Sequence, residues 1–335
     1  MRSRAPGVPW LMKPGALFGL AAVLVVARLG ADTPSSSPAA RPTPDLTSAG
    51  ACATCHADAA REWDASNHHR SASNASYLAA LAREPLPFCR GCHAPSANPA
   101  LPTPPASVAA GIGCLDCHAG LPVAHDRTNA PAARACASCH QFRFPHRQEL
   151  MQTTANEHAK SAHADSECAT CHMIASGGHK NHRFDVVAML PQAIIADVAR
   201  ASATRLAFRL RPGEIGHAFP TGDLFRRVSV RVETDARRVV SERFLSRHFR
   251  AGSLPVGSHP KTDDRDDRVG AGLAPCFELE APAGIARAVI ALERVEQPRS
   301  GHEKQDEISA RFVVWECLVP SAGKTFRPCT PRPDP

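Results

Sequence analysis

Large apolar side chains are scarce in residues 50–185. Only 15 of these 136 residues, about 11 %, are Leu, Ile, Val or Phe. Chains with less than about 20 % of these residue types usually stay disordered. A core built from the side chains of this segment alone is therefore excluded, and another apolar component has to fill its interior.

A long apolar run is also missing. The most apolar stretch, about residues 16–27, is shorter than the roughly 20 residues that span a bilayer. Arg2, Arg4 and Lys13 precede it, as in a secretory signal. Residues 1–31 are predicted to be a signal peptide, and an uncleaved anchor that tethers the chain to a membrane is the alternative. No cysteine directly follows the run, so nothing supports a lipid anchor.

Cysteine is plentiful and regularly spaced. Ten of the 13 cysteines form five Cys-x-x-Cys-His motifs. These motifs are Cys52, Cys55 and His56; Cys89, Cys92 and His93; Cys114, Cys117 and His118; Cys136, Cys139 and His140; and Cys168, Cys171 and His172. Two thiols at this spacing form thioethers to one porphyrin, and the following imidazole binds its iron. The sequence predicts five covalently attached haem c groups, which would supply the missing apolar mass.

Two other uses of paired cysteines compete with haem attachment. Zinc ribbons and knuckles also contain Cys-x-x-Cys pairs, but they do not require a histidine after the second cysteine, and all five pairs have one. A disulfide framework of adjacent pairs would close only short loops and stabilise little. Haem attachment explains both the spacing and the histidine.

The net charge gives no indication of nucleic-acid binding. The formal charge of +7 includes Arg2, Arg4, Lys13 and Arg28 of the leader, which leaves +3 without them. The propionates of five haems outnumber the positive charges of their ferric centres, so we expect a holoprotein close to neutral.

Composition divides the remaining chain into three parts. Residues 32–49 are rich in Pro and Ser and are predicted to be a linker. Residues 50–185 are predicted to form a pentahaem cytochrome c domain of short helices and loops around haems, with little regular structure. Residues 190–335 show period-two alternation of apolar and polar side chains and are predicted to form an all-β antiparallel sandwich. The expected strands are 204–211, 227–233, 288–295 and 308–317.

The haem segment resembles the multihaem cytochromes of the cytochrome c-554 type. Trp63, Ser66 and His68 fit the Trp-x-x-Ser-x-His element of that family. The stretch GIGCLDCH, residues 111–118, fits its Gly-x-x-Cys-x-x-Cys-His motif, although the histidine that follows, His125, is one residue further away than usual. Ser161 to His163 repeats the Ser-x-His element, and His182-Arg183-Phe184 fits the family's final His-Arg-Phe.

The resemblance implies which histidines bind the second axial positions of the irons. It assigns His68, His125, His163 and His182 as distal ligands. His69 is the substitute for His68, and His146, His158 and His179 match no element of the family. A fifth distal ligand is expected from the turn Gly216-His217-Ala218-Phe219-Pro220-Thr221-Gly222, which is similar to a turn in the β-domains that follow some multihaem regions. The alternative is that His217 only hydrogen-bonds this turn.

The β-segment contains the other notable residues. We expect a disulfide between Cys317 and Cys329, with Cys276–Cys317 as the rival pairing. The charged stretch 259–268 is predicted to be a solvated loop, with a calcium site as the alternative. His248, His259 and His302 are expected at the surface rather than on a metal.

These features favour a periplasmic or cell-surface electron carrier over an enzyme. Its partners would be other cytochromes or quinol-linked membrane oxidoreductases, and no nucleic acid. One alternative is a small multihaem reductase of a nitrogen or sulfur compound with one open haem. The other is a protein whose β-domain binds a partner while its haems are structural or sensory.

Overall fold

A computed structural model describes residues 49–118, 133–145, 149–221, 224–251, 261–296, 304, 306–321 and 325–331. These residues belong to one compact unit that spans 44–335. The predicted signal peptide or anchor and most of the predicted linker lie outside the described ranges, as do His125, His146, His259 and His302. Within the described ranges, no helix combines the length and apolarity needed to cross a membrane.

Short helices dominate the first half of the described chain, as the sequence predicts. They are α1 Ala49–Ala53, α2 Ala57–Asp64, α3 Ala75–Arg83, α4 Pro87–His93, α5 Pro105–Ala110, α6 Cys114–His118, α7 Ala133–His140, α8 Thr154–His158, α9 Cys168–His172 and α10 Leu190–Ala193. A 3-10 turn, Val187–Met189, precedes α10, and two small hairpins lie between the helices. The hairpin strands are β1 Gln141–Arg143, β2 Leu150–Thr153, β3 Ala175–Ser176 and β4 His179–Lys180.

The second half is built from antiparallel strands. They are β5 Ile194–Ser202, β6 Arg205–Pro212, β7 Arg226–Glu233, β8 Val239–Leu245, β9 Arg247–Ala251, β10 Lys261–Asp266, β11 Cys276–Glu280, β12 Ala286–Val295, β13 Ile308–Val319, β14 Arg327–Pro328 and β15 Thr330–Pro331. One sheet has the order β11-β6-β5-β14 and the other β15-β13-β12-β7-β8. The four strands expected from period-two alternation are β6, β7, β12 and β13.

The two sheets share one apolar core, which confirms a β-sandwich. In β6, Leu206, Phe208 and Leu210 are buried at alternate positions, so their side chains point to the same face. Side chains of the other sheet join them in a single cluster, among them Val228, Val230, Val232, Ile290, Val314 and Trp315. The buried members of this core all lie within residues 190–335, and among the described residues of the helical region the cluster is small, formed by Ala72, Ala94 and Ala97.

Within the described part of the charged stretch, residues 261–268, the expectation of a solvated loop is wrong. Residues 261–266 form β10, which pairs with β9. Arg268 is only 2 % exposed and forms ion pairs with Glu157 and Asp266. Charge alone suggested solvent, but opposite charges brought together by the fold compensate one another when buried. Within the described ranges, no cluster of three or more His, Cys, Asp or Glu is arranged to bind a metal ion.

Two further expectations in the β-domain have opposite outcomes. Cys317 and Cys329 form the predicted disulfide, whereas Cys276 is exposed and free. The surface position expected for His248 is wrong, because its side chain is 9 % exposed and its Nε2 lies 2.9 Å from Oδ1 of Asp267. This partner follows β10, so the sequence neighbours of His248 do not reveal it.

Candidate haem-binding sites

Each attachment motif lies on or beside a short helix. In α4, α6, α7 and α9 the helix ends at the motif histidine, and in the first motif His56 directly precedes α2. Residues three and four apart lie on the same side of a helical turn. The two thiols and the imidazole of each helical motif therefore face one side, which suits attachment to a single porphyrin.

Thiols of different motifs lie close together. Cys92 lies near Cys139, Cys52 near Cys114, and Cys136 near Cys168, and in each pair the neighbouring thiol contributes to a pKa shift. Burial raises the pKa of Cys136 to about 11, and the neighbouring Cys168 adds to the effect. These three contacts connect residues of all five motifs, so groups attached to them would be neighbours.

Three motif imidazoles face a second imidazole across a similar gap. The ring centroids of His140 and His68 are 6.2 Å apart. Those of His118 and His182 are also 6.2 Å apart, and those of His172 and His217 are 6.1 Å apart with only 9° between their planes. Metal–imidazole bonds of about 2 Å on both sides of an iron would separate the two centroids by about 6 Å. The three gaps thus fit an iron with two axial histidines.

Burial favours the neutral form, which can bind a metal, in four of these six imidazoles. It lowers the pKa of His68, His172, His182 and His217. Nδ1 of His182 is also buried without a hydrogen-bond partner. A buried polar atom without a partner destabilises the protein alone. It therefore indicates a bound group that the chain itself does not contain.

His93 of the second motif is oriented in a different way. Its Nδ1 lies 2.9 Å from the carbonyl oxygen of Ser71, which leaves Nε2 for a metal. The ring of Tyr77 stacks on His93, with 3.9 Å between centroids and 8° between planes. The Tyr77 hydroxyl is buried without a partner, and burial raises its pKa. Tyr77 is the single tyrosine of the chain, and motif spacing did not indicate it.

The two family elements that contain His68 and the third motif pack against each other. Trp63 Nε1 donates to the carbonyl of Ile112 at 2.8 Å, and Ile112 N–H donates to the carbonyl of His68 at 3.0 Å. Gly111 has a φ of +56°, and a Cβ there would overlap the carbonyls of His68 and His69. The glycine of the motif is thus required for this close approach.

Glu62 fixes the segment that contains His182. Its Oε2 accepts a hydrogen bond from His182 N–H at 2.9 Å and lies 3.0 Å from Nε2 of His179. Burial would raise the pKa of Glu62, but these two hydrogen bonds and the charges of the histidines lower it. His179 therefore contacts a carboxylate, which gives it a supporting position beside His182.

The turn that contains His217 reaches the fifth motif. His217 Nδ1 lies 3.0 Å from the carbonyl of Ala218, so Nε2 is left for other partners. Phe219 exchanges two backbone hydrogen bonds with Val269, at 2.7 and 3.0 Å, and the Phe219–Pro220 peptide is cis. His217 therefore contacts its own turn and also lies opposite His172, a geometry that is compatible with either reading from the sequence.

The other described candidate histidines lie in different surroundings. Both ring nitrogens of His69 lie within 3.0 Å of backbone carbonyls, so it is unsuited to replace His68. A Cβ at Gly216 would lie 3.4 Å from Cβ of His163 and 2.8 Å from Cδ2 of His158, which places both histidines beside the turn. The charge of His158 lowers the pKa of His172, a proximity that the sequence did not indicate.

The short helices and paired imidazoles agree with a c-type cytochrome-like region, a class that binds haem covalently and transfers electrons. Residues 51–119 match the family model described as cytochrome c554 and c-prime. The match includes three of the five motifs and the Trp-x-x-Ser-x-His element. No curated protein and no solved structure was found to match the chain.

Proposed function

We propose that this chain is an exported pentahaem c-type cytochrome that transfers electrons along bis-histidine haems between redox partners. The observation that supports it best is the near-identical gap in three imidazole pairs, 6.1–6.2 Å between centroids. A reductase needs an iron with an open position, whereas two strong axial ligands favour electron transfer.

The haems supply one-electron chemistry, and the chain binds and orients them. We assign His68, His182 and His217 as distal ligands opposite His140, His118 and His172. His125 and His163 are proposed as further distal ligands on the sequence resemblance alone, without an assigned iron. The cross-motif thiol contacts support close spacing between neighbouring haems, which electron exchange requires.

The proposed cellular location follows from the N-terminal leader and from the attached haem. Haem attachment in an exported chain favours a periplasmic or cell-surface location, with a membrane tether if the leader is retained. The proposed partners are other cytochromes or quinol-linked membrane oxidoreductases. The β-domain would shield the fifth haem, because it provides the His217 turn.

Low-temperature EPR of the fully oxidised holoprotein, quantified against haem content, tests this function. The expected result is five low-spin centres for each chain. His68→Ala and His217→Ala should each convert about one fifth of the haem to high-spin. His302→Ala, which changes a histidine outside the assigned set, should leave the spectrum unchanged.

A high-spin signal near one fifth of the haem in the unaltered protein would contradict the proposed role as a carrier with bis-histidine haems. It would favour the reductase with one open iron, and nitrite, hydroxylamine and nitric oxide would then be added to identify its substrate. Haem content clearly below five for each chain would contradict the pentahaem assignment.

A further inference from the structure

A buried ion pair joins the helical region to the β-domain beside His217. Glu157 belongs to α8, and Arg268 follows β10. Arg268 Nη2 lies 2.6 Å from Oε1 of Glu157, and the two side chains are 2 % and 10 % exposed. Burial of charges is costly unless they are paired and hydrogen-bonded, so such a pair has one strongly preferred geometry.

The same two side chains hold the backbone around His217. Oε2 of Glu157 accepts a hydrogen bond from Ala218 N–H at 3.0 Å, and Arg268 Nη1 donates to the carbonyl of Pro220 at 3.3 Å. Ala218 is the residue directly after His217. The ion pair therefore holds the backbone of residues 218–220, the segment that directly follows His217.

The remaining hydrogen bonds of the pair are also satisfied. Thr153 Oγ1 donates to Glu157, and Asp266 accepts from Nε and Nη2 of Arg268 at 2.8 and 2.7 Å. Val269, next to Arg268, forms the backbone bridge to Phe219. The turn is thus held by its neighbours on each side, and α8 sets its position relative to the fifth motif.

We propose that Glu157 and Arg268 are positioning residues that hold His217 at the iron of the fifth haem. The inference rests on the proposed function, because it requires His217 as a ligand. It adds that the β-domain places this ligand through one buried ion pair with α8, rather than through the turn alone.

Oxidised holoprotein variants, compared by quantified EPR with and without added imidazole, test the proposal. Glu157→Ala should convert up to one fifth of the haem to high-spin, and imidazole should return it to low-spin by occupying the vacated position. Glu157→Gln should give a smaller high-spin fraction, since its amide oxygen can still accept from Ala218 but its charge is lost. It also provides the readout if Glu157→Ala yields no holoprotein.

The matched control is Glu293→Gln. Glu293 is equally a buried carboxylate paired with arginine, but it lies inside the β-sandwich on β12. This variant should lower the melting temperature and leave all haems low-spin. A merely structural role of Glu157 would give the same result as this control.

Two results would overturn the proposal, and they differ. If His217→Ala gives one high-spin haem while both Glu157 variants stay fully low-spin, His217 is a ligand but Glu157 does not position it. If His217→Ala itself stays fully low-spin, the ligand assignment fails, and the positioning role fails with it.

Discussion

The imidazoles of His172 and His217 lie almost parallel, 6.1 Å apart, although one ends α9 and the other belongs to the β-domain. These two imidazoles bring the helical region and the β-domain together at one proposed iron site. Burial lowers the pKa of both imidazoles, and the charge of His217 lowers the pKa of His172 further. The β-domain therefore contributes His217 to the proposed site of the fifth haem.

The ring of Tyr77 should orient His93, while its hydroxyl should contribute little. Tyr77→Phe keeps the stack and removes a buried unpartnered hydroxyl, so we expect stability to stay equal or rise by about 1 kcal/mol. Tyr77→Leu removes the stack and should broaden the EPR signal of one haem. Denaturant unfolding of both variants measures the change in stability, and EPR measures the change at the haem. A clear loss of stability in Tyr77→Phe would show that the hydroxyl has a partner in the holoprotein.

Gly111 should not tolerate a side chain. A Cβ there overlaps the carbonyls of His68 and His69, and the positive φ adds backbone strain. We expect Gly111→Ala to destabilise the holoprotein by about 2–3 kcal/mol and to disturb the haem that faces His68. The control is Gly284→Ala, where a Cβ meets open space. Equal unfolding midpoints for the two variants would refute the close-approach explanation.

The Cys317–Cys329 disulfide should stabilise the end of the β-domain. It joins residues 12 apart, and loops of about this length gain about 3 kcal/mol from a crosslink. The double variant Cys317→Ser and Cys329→Ser should lose stability of that order in denaturant unfolding. Cys276→Ser, at an exposed free thiol, should unfold like the parent protein. Reduction of the disulfide in the parent protein should cause the same loss of stability. An unchanged unfolding midpoint would contradict a stabilising role of the disulfide.

Glu293 should make stability depend on acid pH. Burial would raise its pKa, but Arg227 and Arg311 lower it overall. A carboxyl with a lowered folded-state pKa stabilises above its unfolded pKa of about 4.3, and this contribution is lost as pH falls through the folded value. Glu293→Gln should cost about 3–5 kcal/mol near pH 7, and its unfolding free energy should fall less between pH 5 and pH 3 than that of the parent. Parallel pH profiles would exclude Glu293 as the source.

The sequence was informative where the chemistry depends on local spacing. Cys-x-x-Cys-His predicts five haem-attachment motifs without reference to the fold, because thiols and imidazole must reach one porphyrin from a single turn. Alternation in residues 204–211 and 227–233 indicated β6 and β7, since period-two burial is intrinsic to a strand on a core. The disulfide at Cys317 was also predicted, whereas His248 and residues 259–268 were placed wrongly because their charged partners are distant in sequence.

Sequence alone therefore predicted haem attachment at five motifs, and it predicted the C-terminal β-sandwich that the structure shows. Only the tertiary structure decided that His172 faces His217, that His69 is bonded to carbonyls, and that Glu157 meets Arg268. The reason is physical: a covalent attachment motif and a strand pattern extend over a few neighbouring residues. An axial pair or a buried ion pair instead depends on how separate segments pack, and no local pattern specifies that packing.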